Sequence, residues 1–222
     1  MSWAPLVLSL EIALLAMLLS LVFGVAIAVL LDWKRLPGRE LLYAIACAPL
    51  VLPPTVLGYY LLVALGTNSA VGRAWESLTG STIVFSFTGA VIAAAIGSLP
   101  LVVRAARIGI ESVDPTLVAA ARTLGARPVR VLFTVVLPLA TPAIAAGAML
   151  AFARALGDYG ATQMVAGQMI DGTETASIYV MNKLWAGHEA ASRDMALVTT
   201  AVGIAMLYLA NRVLKKFSGA HV

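Results

Sequence analysis

Arg154 and Asp158 stand one helical turn apart inside an otherwise apolar stretch. An ionisable pair in such a setting can draw an anion, relay a proton, or neutralise itself across the i, i+4 spacing. A second group, Thr55, Tyr59 and Tyr60, follows the consecutive prolines Pro53 and Pro54. Proline frees backbone groups from a helix, and hydroxyls beside freed groups suit a polar path through hydrocarbon. The same pattern also reads as a plain kink with interfacial tyrosines. The third group is local. Asp114-Pro115 has the chemistry of a helix N-cap and first position, Gly125 that of the residue past the helix end, and Arg122 favours the negative end of the dipole. Metal and disulfide chemistry have little to work with. The single cysteine, Cys47, can form neither an internal disulfide nor a Cys-based zinc site, and His188 and His221 are the only histidines.

The elements that carry these groups are membrane helices. Of 222 residues, 61% are apolar and 12% charged, against about 45–50% and about 25% in soluble domains. The mean hydropathy of +0.94 agrees. A helix needs about 20 apolar residues to cross the hydrocarbon, and five stretches qualify: Pro5–Leu31, Leu41–Leu65, Thr82–Val103, Leu139–Leu156 and Met195–Leu214. The expected fold is therefore an all-α integral membrane protein of five transmembrane helices, with residues 1–222 as a single transmembrane domain. The first stretch lacks a positive leading segment, is long, and carries Glu11, so it reads as a span and not as a signal peptide. Glu11 itself is expected to be interfacial or paired.

The net charge of +4 sits in short clusters between the apolar runs, a pattern of membrane loops and not of nucleic-acid binding. Lys34, Arg35 and Arg39 follow span one. Arg104, Arg107, Arg122, Arg127 and Arg130 follow span three, and Arg212, Lys215 and Lys216 follow span five. Those eleven of the fifteen basic residues fall on one side, which places the N-terminus outside and the C-terminus in the cytoplasm. Small residues recur every fourth position, as Ser20, Gly24, Ala28, then Gly89, Ala93, Gly97, then Ala143, Gly147, Ala151, Ala155. Such stripes allow close backbone approach, either within the bundle or between subunits. Between spans four and five, about 160–193 reads as outside or partly re-entrant. Ile178, Met181, Leu184 and Trp185 predict a short amphipathic helix there, covering a pore mouth, meeting a partner, or anchoring at the interface.

The capped segment Thr116–Leu124 puts Leu117, Ala120, Ala121 and Leu124 on one stripe. That stripe suits a groove on a partner protein, or packing under the chain's own bundle. Here a family resemblance enters. Ala119-Ala120-Ala121-Arg122-Thr123-Leu124-Gly125, nine residues, then Val135-Val136-Leu137-Pro138 resembles the EAA motif of binding-protein-dependent ABC importer permeases. Ala119 stands at the motif's Glu, so any polar contact of that Glu is missing while the helix remains. Pro49–Leu62 resembles the proline-rich second core span of the molybdate branch of that family. Ala155–Thr162 resembles its segment after span four, with Asp158 where Glu is expected.

The resemblance implies a type I ABC importer permease: a homodimer with an ATP-binding subunit at each loop helix and a periplasmic or extracellular molybdate-binding protein on the outer face. It implies a multi-pass protein of the bacterial inner membrane. It also implies that Asp114, Pro115, Leu117, Ala119, Ala120, Ala121, Arg122, Leu124, Gly125, Leu137 and Pro138 serve ATPase coupling. The chain has no G-x-x-x-x-G-K-[ST] phosphate loop, so no cofactor is expected on it, and ATP and Mg would be used by the partner ATPase. Thr55, Tyr59, Tyr60, Arg154 and Asp158 are the candidates for the path of a tetrahedral oxyanion, because a dianion cannot be desolvated into lipid. Tungstate or sulfate would fit the same chemistry. An intramembrane enzyme is disfavoured, since no Ser/His dyad lies in the spans. A proton-coupled carrier using Glu11, Arg154 or Asp158 is a further alternative, but it has no use for a docking helix.

Overall fold

Pro5 starts a helix readily because its ring removes only an amide that has no helical partner there. From it α1 (Ala4–Asp32) runs 29 residues, about 43 Å at the α-helical rise. A computed structural model of the chain describes residues 3–33, 36–167 and 174–218, with side chains to Arg212. Lys34, Arg35, His221 and the side chains of Lys215 and Lys216 lie outside the described residues, as does 168–173 of the segment after span four.

The second span is broken, where the sequence predicts one helix over Leu41–Leu65. It consists of α2 (Arg39–Cys47), a 3₁₀ turn at Ala48–Leu50 and α3 (Pro54–Leu65), and its two arms meet at 113°. Proline chemistry explains the break. Pro54 restricts the residue before it to extended backbone, and Pro53 has φ −54° and ψ 138°. Hydropathy sums over such a bend without registering it. After α4 (Ala70–Thr79), the third span α5 (Phe87–Glu111) begins five residues later than expected and runs eight further. Its start is set by Ser86, whose hydroxyl caps the Gly89 amide at 3.3 Å, after a turn at Phe85 with φ 57°. Its last turns are held by the Arg107–Glu111 pair at 2.8 Å and by Arg107 stacked 4.6 Å from the Tyr43 ring centre. Arg104 and Arg107 thus belong to the helix and not to the loop after it.

Beyond α6 (Pro115–Thr123) come α7 (Pro128–Val131), a π-helical turn at Leu132–Val136 and α8 (Leu137–Leu156). These merge into one span that begins eleven residues before the expected Leu139. The chain then makes α9 (Gly160–Val165), α10 (Ala176–Trp185) and α11 (Glu189–Ser218). Among the described residues four single helices are long and apolar enough to cross a membrane, and the bent pair passes the same test of length and composition only when its two arms are taken together. The expected amphipathic helix around Trp185 forms as α10, but its stripe does not share one environment. Ile178 is fully buried, whereas Leu184 and Trp185 are exposed.

At the centre lies α5, with α1 and α8 against it. The small-residue stripes are what let them approach. A Cβ on Gly24 would meet Val102 at 2.8 Å, and one on Gly147 would meet the Ala105 Cβ at 2.5 Å. Between α1 and α5 the buried Ser20 hydroxyl donates to the Ala95 carbonyl at 2.8 Å and lies 2.9 Å from that of Ser98. The stripes therefore pack the bundle itself. Gly147→Ala should lower stability by about 1–3 kcal/mol through overpacking. Gly203→Ala, whose Cβ would sit at an ordinary 3.5 Å from Leu156, should be neutral or slightly stabilising. Thermal unfolding of the two variants in detergent checks the contrast.

Candidate functional site

Asp114 builds the start of α6. Its Oδ1 accepts the Thr116 amide at 2.8 Å, and Pro115 takes the first helical position. The far end is a Schellman arrangement. The Ala126 amide donates to the Ala121 carbonyl at 3.1 Å and the Gly125 amide to the Arg122 carbonyl at 3.0 Å. Gly125 has φ +82°, and nothing lies within 4 Å of where its Cβ would stand. Backbone conformation, not crowding, demands glycine there. The Thr116 amide, and secondarily its hydroxyl, hold the Asp114 carboxyl below the ordinary carboxylate range.

No residue of α6 is buried. Leu117 is 48% and Leu124 89% exposed, and Ala120 is exposed beside a half-buried Ala121. An open cavity of about 1060 Å³ separates α6 from the ends of α1 and α5, with Asp32, Trp33 and Glu111 on one wall and Val118, Ala119 and Arg122 on the other. The helix stands off its own bundle. Its main contacts within the chain are with α7 and the π turn, at the foot of the fourth span.

The link from α6 back to the bundle passes through α7 and the π turn. Pro138 has no amide to give to the carbonyl of Thr134, so a regular α-helix would lose that bond. The chain instead closes a wider turn, in which the Leu137 amide reaches the Leu132 carbonyl. The Thr134 hydroxyl turns back to the Arg130 carbonyl at 2.7 Å. Leu137 and Pro138 thus occupy the joint between the loop and α8.

Of the remaining predicted residues, Thr55 and Asp158 lie where two helix breaks meet. α9 lies against α3, and a Cβ on Gly160 would meet the Pro54 Cβ at 2.8 Å and the Thr55 amide nitrogen at 3.3 Å. Thr55, Tyr59 and Tyr60 are exposed on α3, the two rings 5.9 Å apart, and no side chain caps the α3 N-terminus. Arg154 and Asp158 form an ion pair at 2.8 Å. Asp158 is 4% exposed, and its second oxygen accepts the Thr162 amide at 2.9 Å and the Thr162 hydroxyl at 2.7 Å. The carboxylate is fully engaged, as the self-neutralising reading predicts. The Arg154 side chain is a third exposed and keeps further N–H groups for a guest. Thr162 and Gly160 were not legible as partners. Thr162 continues the four-residue spacing of Arg154 and Asp158, which is the signal that could have found it. Glu11 is exposed and enters no ion pair among the described residues.

Over residues 20–217 the chain matches the family described as binding-protein-dependent transport system inner membrane component. It is 43% identical to the molybdenum transport system permease protein ModB of Escherichia coli (strain K12) over 209 residues, covering 93% of this chain and 90% of that one. The ModB of Haemophilus influenzae is 38% identical over 220 residues, covering 97% and 96%. Among solved structures, the inward-facing MetNI methionine ABC transporter contains a chain that superimposes with a TM-score of 0.73 at 17% identity, covering 97% of this chain and 99% of that chain. At that identity the likeness is one of fold.

A carboxyl depressed by folding contributes stability above the ordinary carboxylate range and loses it as pH falls through the folded value. Asp114→Ala should therefore speed hydrogen exchange of the α6 amides at neutral pH, and the gap from the unsubstituted chain should close once Asp114 is protonated. Mass spectrometry of both proteins at matched pH checks this.

Proposed function

Because the chain belongs to the family of binding-protein-dependent transport system inner membrane components, we propose that it is the permease subunit of an ATP-driven importer carrying molybdate across the bacterial inner membrane. The observation that carries this reading is end-to-end similarity to two molybdenum permeases, at 43% and 38% identity. The protein is a multi-pass membrane chain with the α-helical fold of type I ABC importer permeases. It works as a homodimer with two ATP-binding subunits and a molybdate-binding protein. The α6 end faces the cytoplasm, the N-terminus lies outside and the C-terminus inside. ATP and Mg are used by the partner, and this chain binds no cofactor.

Coupling runs through α6. Its exposed stripe, Leu117, Ala120 and Leu124, docks in a groove of the ATPase, and Asp114 and Gly125 hold the helix in shape while load passes through it. When the nucleotide-bound ATPases close, α6 is drawn inward. Leu137 and Pro138 hand that movement to α8, and the bundle turns from inward- to outward-facing. The Ala119-Ala120-Ala121…Gly125 spacing supports this reading, and so does the exposure of Leu117 and Leu124 beside an open cavity. A dianion in the path needs donors to replace its water. Thr55, Tyr59 and Tyr60, the uncapped amide end of α3 and the exposed edge of Arg154 supply them, while Asp158 keeps Arg154 from standing as a lone buried charge.

Reconstitution with a candidate ABC importer ATPase and a molybdate-binding protein tests the reading. Molybdate uptake should require ATP and disappear when residues 114–125 are scrambled, and competition by sulfate and tungstate measures selectivity. Uptake without any ATPase would refute it. Gly125→Val, a β-branched residue forced to positive φ, should reduce uptake at least tenfold, with weaker co-purification of the ATPase.

A further inference from the structure

The short helix α9 has six residues, too few to hold its shape alone. Ala161 and Val165 bury it against α3 and α5, the Phe85 amide donates to the Val165 carbonyl at 2.8 Å, and Asp158 ties its N-terminal turn to α8. One oxygen of that carboxylate is bound by Arg154 of α8, and the other receives the Thr162 amide and hydroxyl of α9. On its other side α9 presses against the broken span at two glycines. Gly160 admits Pro54 and the Thr55 amide, and Gly58 admits Ala161 and Met164, whose Cβ would lie 2.7 Å from an added one. A continuous line of contacts therefore runs from α8 through Asp158 to the first turn of α3.

We propose that Asp158 is a positioning residue of the translocation path: through Thr162 and the Gly160–Pro54 contact it ties the break in the second span to α8, and so sets where Thr55 stands. The proposal rests on the permease reading and assigns a role to a carboxylate both of whose oxygens are already bonded within the chain. Asp158 neither binds the anion nor relays a proton. Its work is mechanical, and displacement of α8 reaches Thr55 through it.

The test places a reporter at the break. In the assembled transporter in proteoliposomes, Thr55→Cys is introduced on a Cys47→Ala background and labelled with a membrane-impermeant maleimide. Labelling is expected, because Thr55 is exposed and the permease reading puts it on the aqueous path. Adding Gly160→Ala should change the labelling rate at least tenfold, since its Cβ would lie 2.8 Å from Pro54. Adding Thr162→Val, which removes one hydroxyl bond and keeps the amide bond, should shift the rate at least threefold in the same direction. Gly97→Ala, with only Leu57 at 3.8 Å, should leave it within twofold. If Gly160→Ala fails to assemble, the Thr162→Val rate decides. Unchanged rates in the variants that assemble, or no labelling of Thr55→Cys at all, would overturn the proposal. Uptake in parallel vesicles that hold the transporter with Thr55 intact reports on the permease reading separately, because the labelling rate does not depend on which anion is carried.

Discussion

A peptide group surrounded by hydrocarbon must find its partner within the protein, and each departure from helix inside this bundle has to meet that demand. The chain departs twice in the region that matters, at Ala48–Pro54 and between Leu156 and Gly160. The two breaks are nested. Gly160 lets Pro54 and Thr55 close upon it, and Asp158 gives the Thr162 amide the acceptor that a continuous helix would have provided. Each break alone would leave unpaired groups in an apolar setting. Together they make a polar seam of Arg154, Asp158 and Thr162 beside the Pro54–Thr55 turn. The family's transport function needs such a seam, since a hydrophilic solute cannot cross regular apolar helices.

Around that seam the bundle is rigid because α5 is approached so closely. Gly24, Gly109 and Gly147 remove the side chains that would hold α1 and α8 away from it, and Ser20 ties α1 to the Ala95 carbonyl of α5. Apolar contact alone gives little drive between helices in lipid, so close van der Waals packing and buried hydrogen bonds carry the association. The α6 end is built the other way. There the helix is capped at both ends by its own residues and stands beyond an open cavity. A rigid bundle with a self-sufficient helix held off it is the geometry in which a partner can move one part against the other.

What the sequence made legible follows from how local each feature is. The caps of α6 depend on Asp114, Pro115 and Gly125 and their immediate neighbours, and the structure forms them as read. The four long spans were legible from hydropathy, with their ends displaced. Arg104 and Arg107 read as loop because they are charged, yet α5 runs through both, and Arg107 is held there by Glu111 and by the Tyr43 ring of α2. The bend in the second span was invisible for a different reason. Composition averages over a turn, and Pro49, Pro53 and Pro54 signalled a kink without its angle. The pairing of Gly160 with Pro54 spans more than a hundred residues, so no local pattern could show it. The full engagement of Asp158 needed the position of α9, which only the fold provides.

Load can reach the bundle through α6 only if the exposed face of that helix docks on an ATP-binding partner. A photo-activated cross-linking residue at Leu124, the most exposed position of that face, reports on it directly in membranes that contain the whole transporter. A docked α6 gives a cross-link to the ATP-binding subunit whose yield changes when nucleotide closes that subunit. A Leu124 cross-link confined to this chain itself or to lipid, whatever the nucleotide, would contradict it.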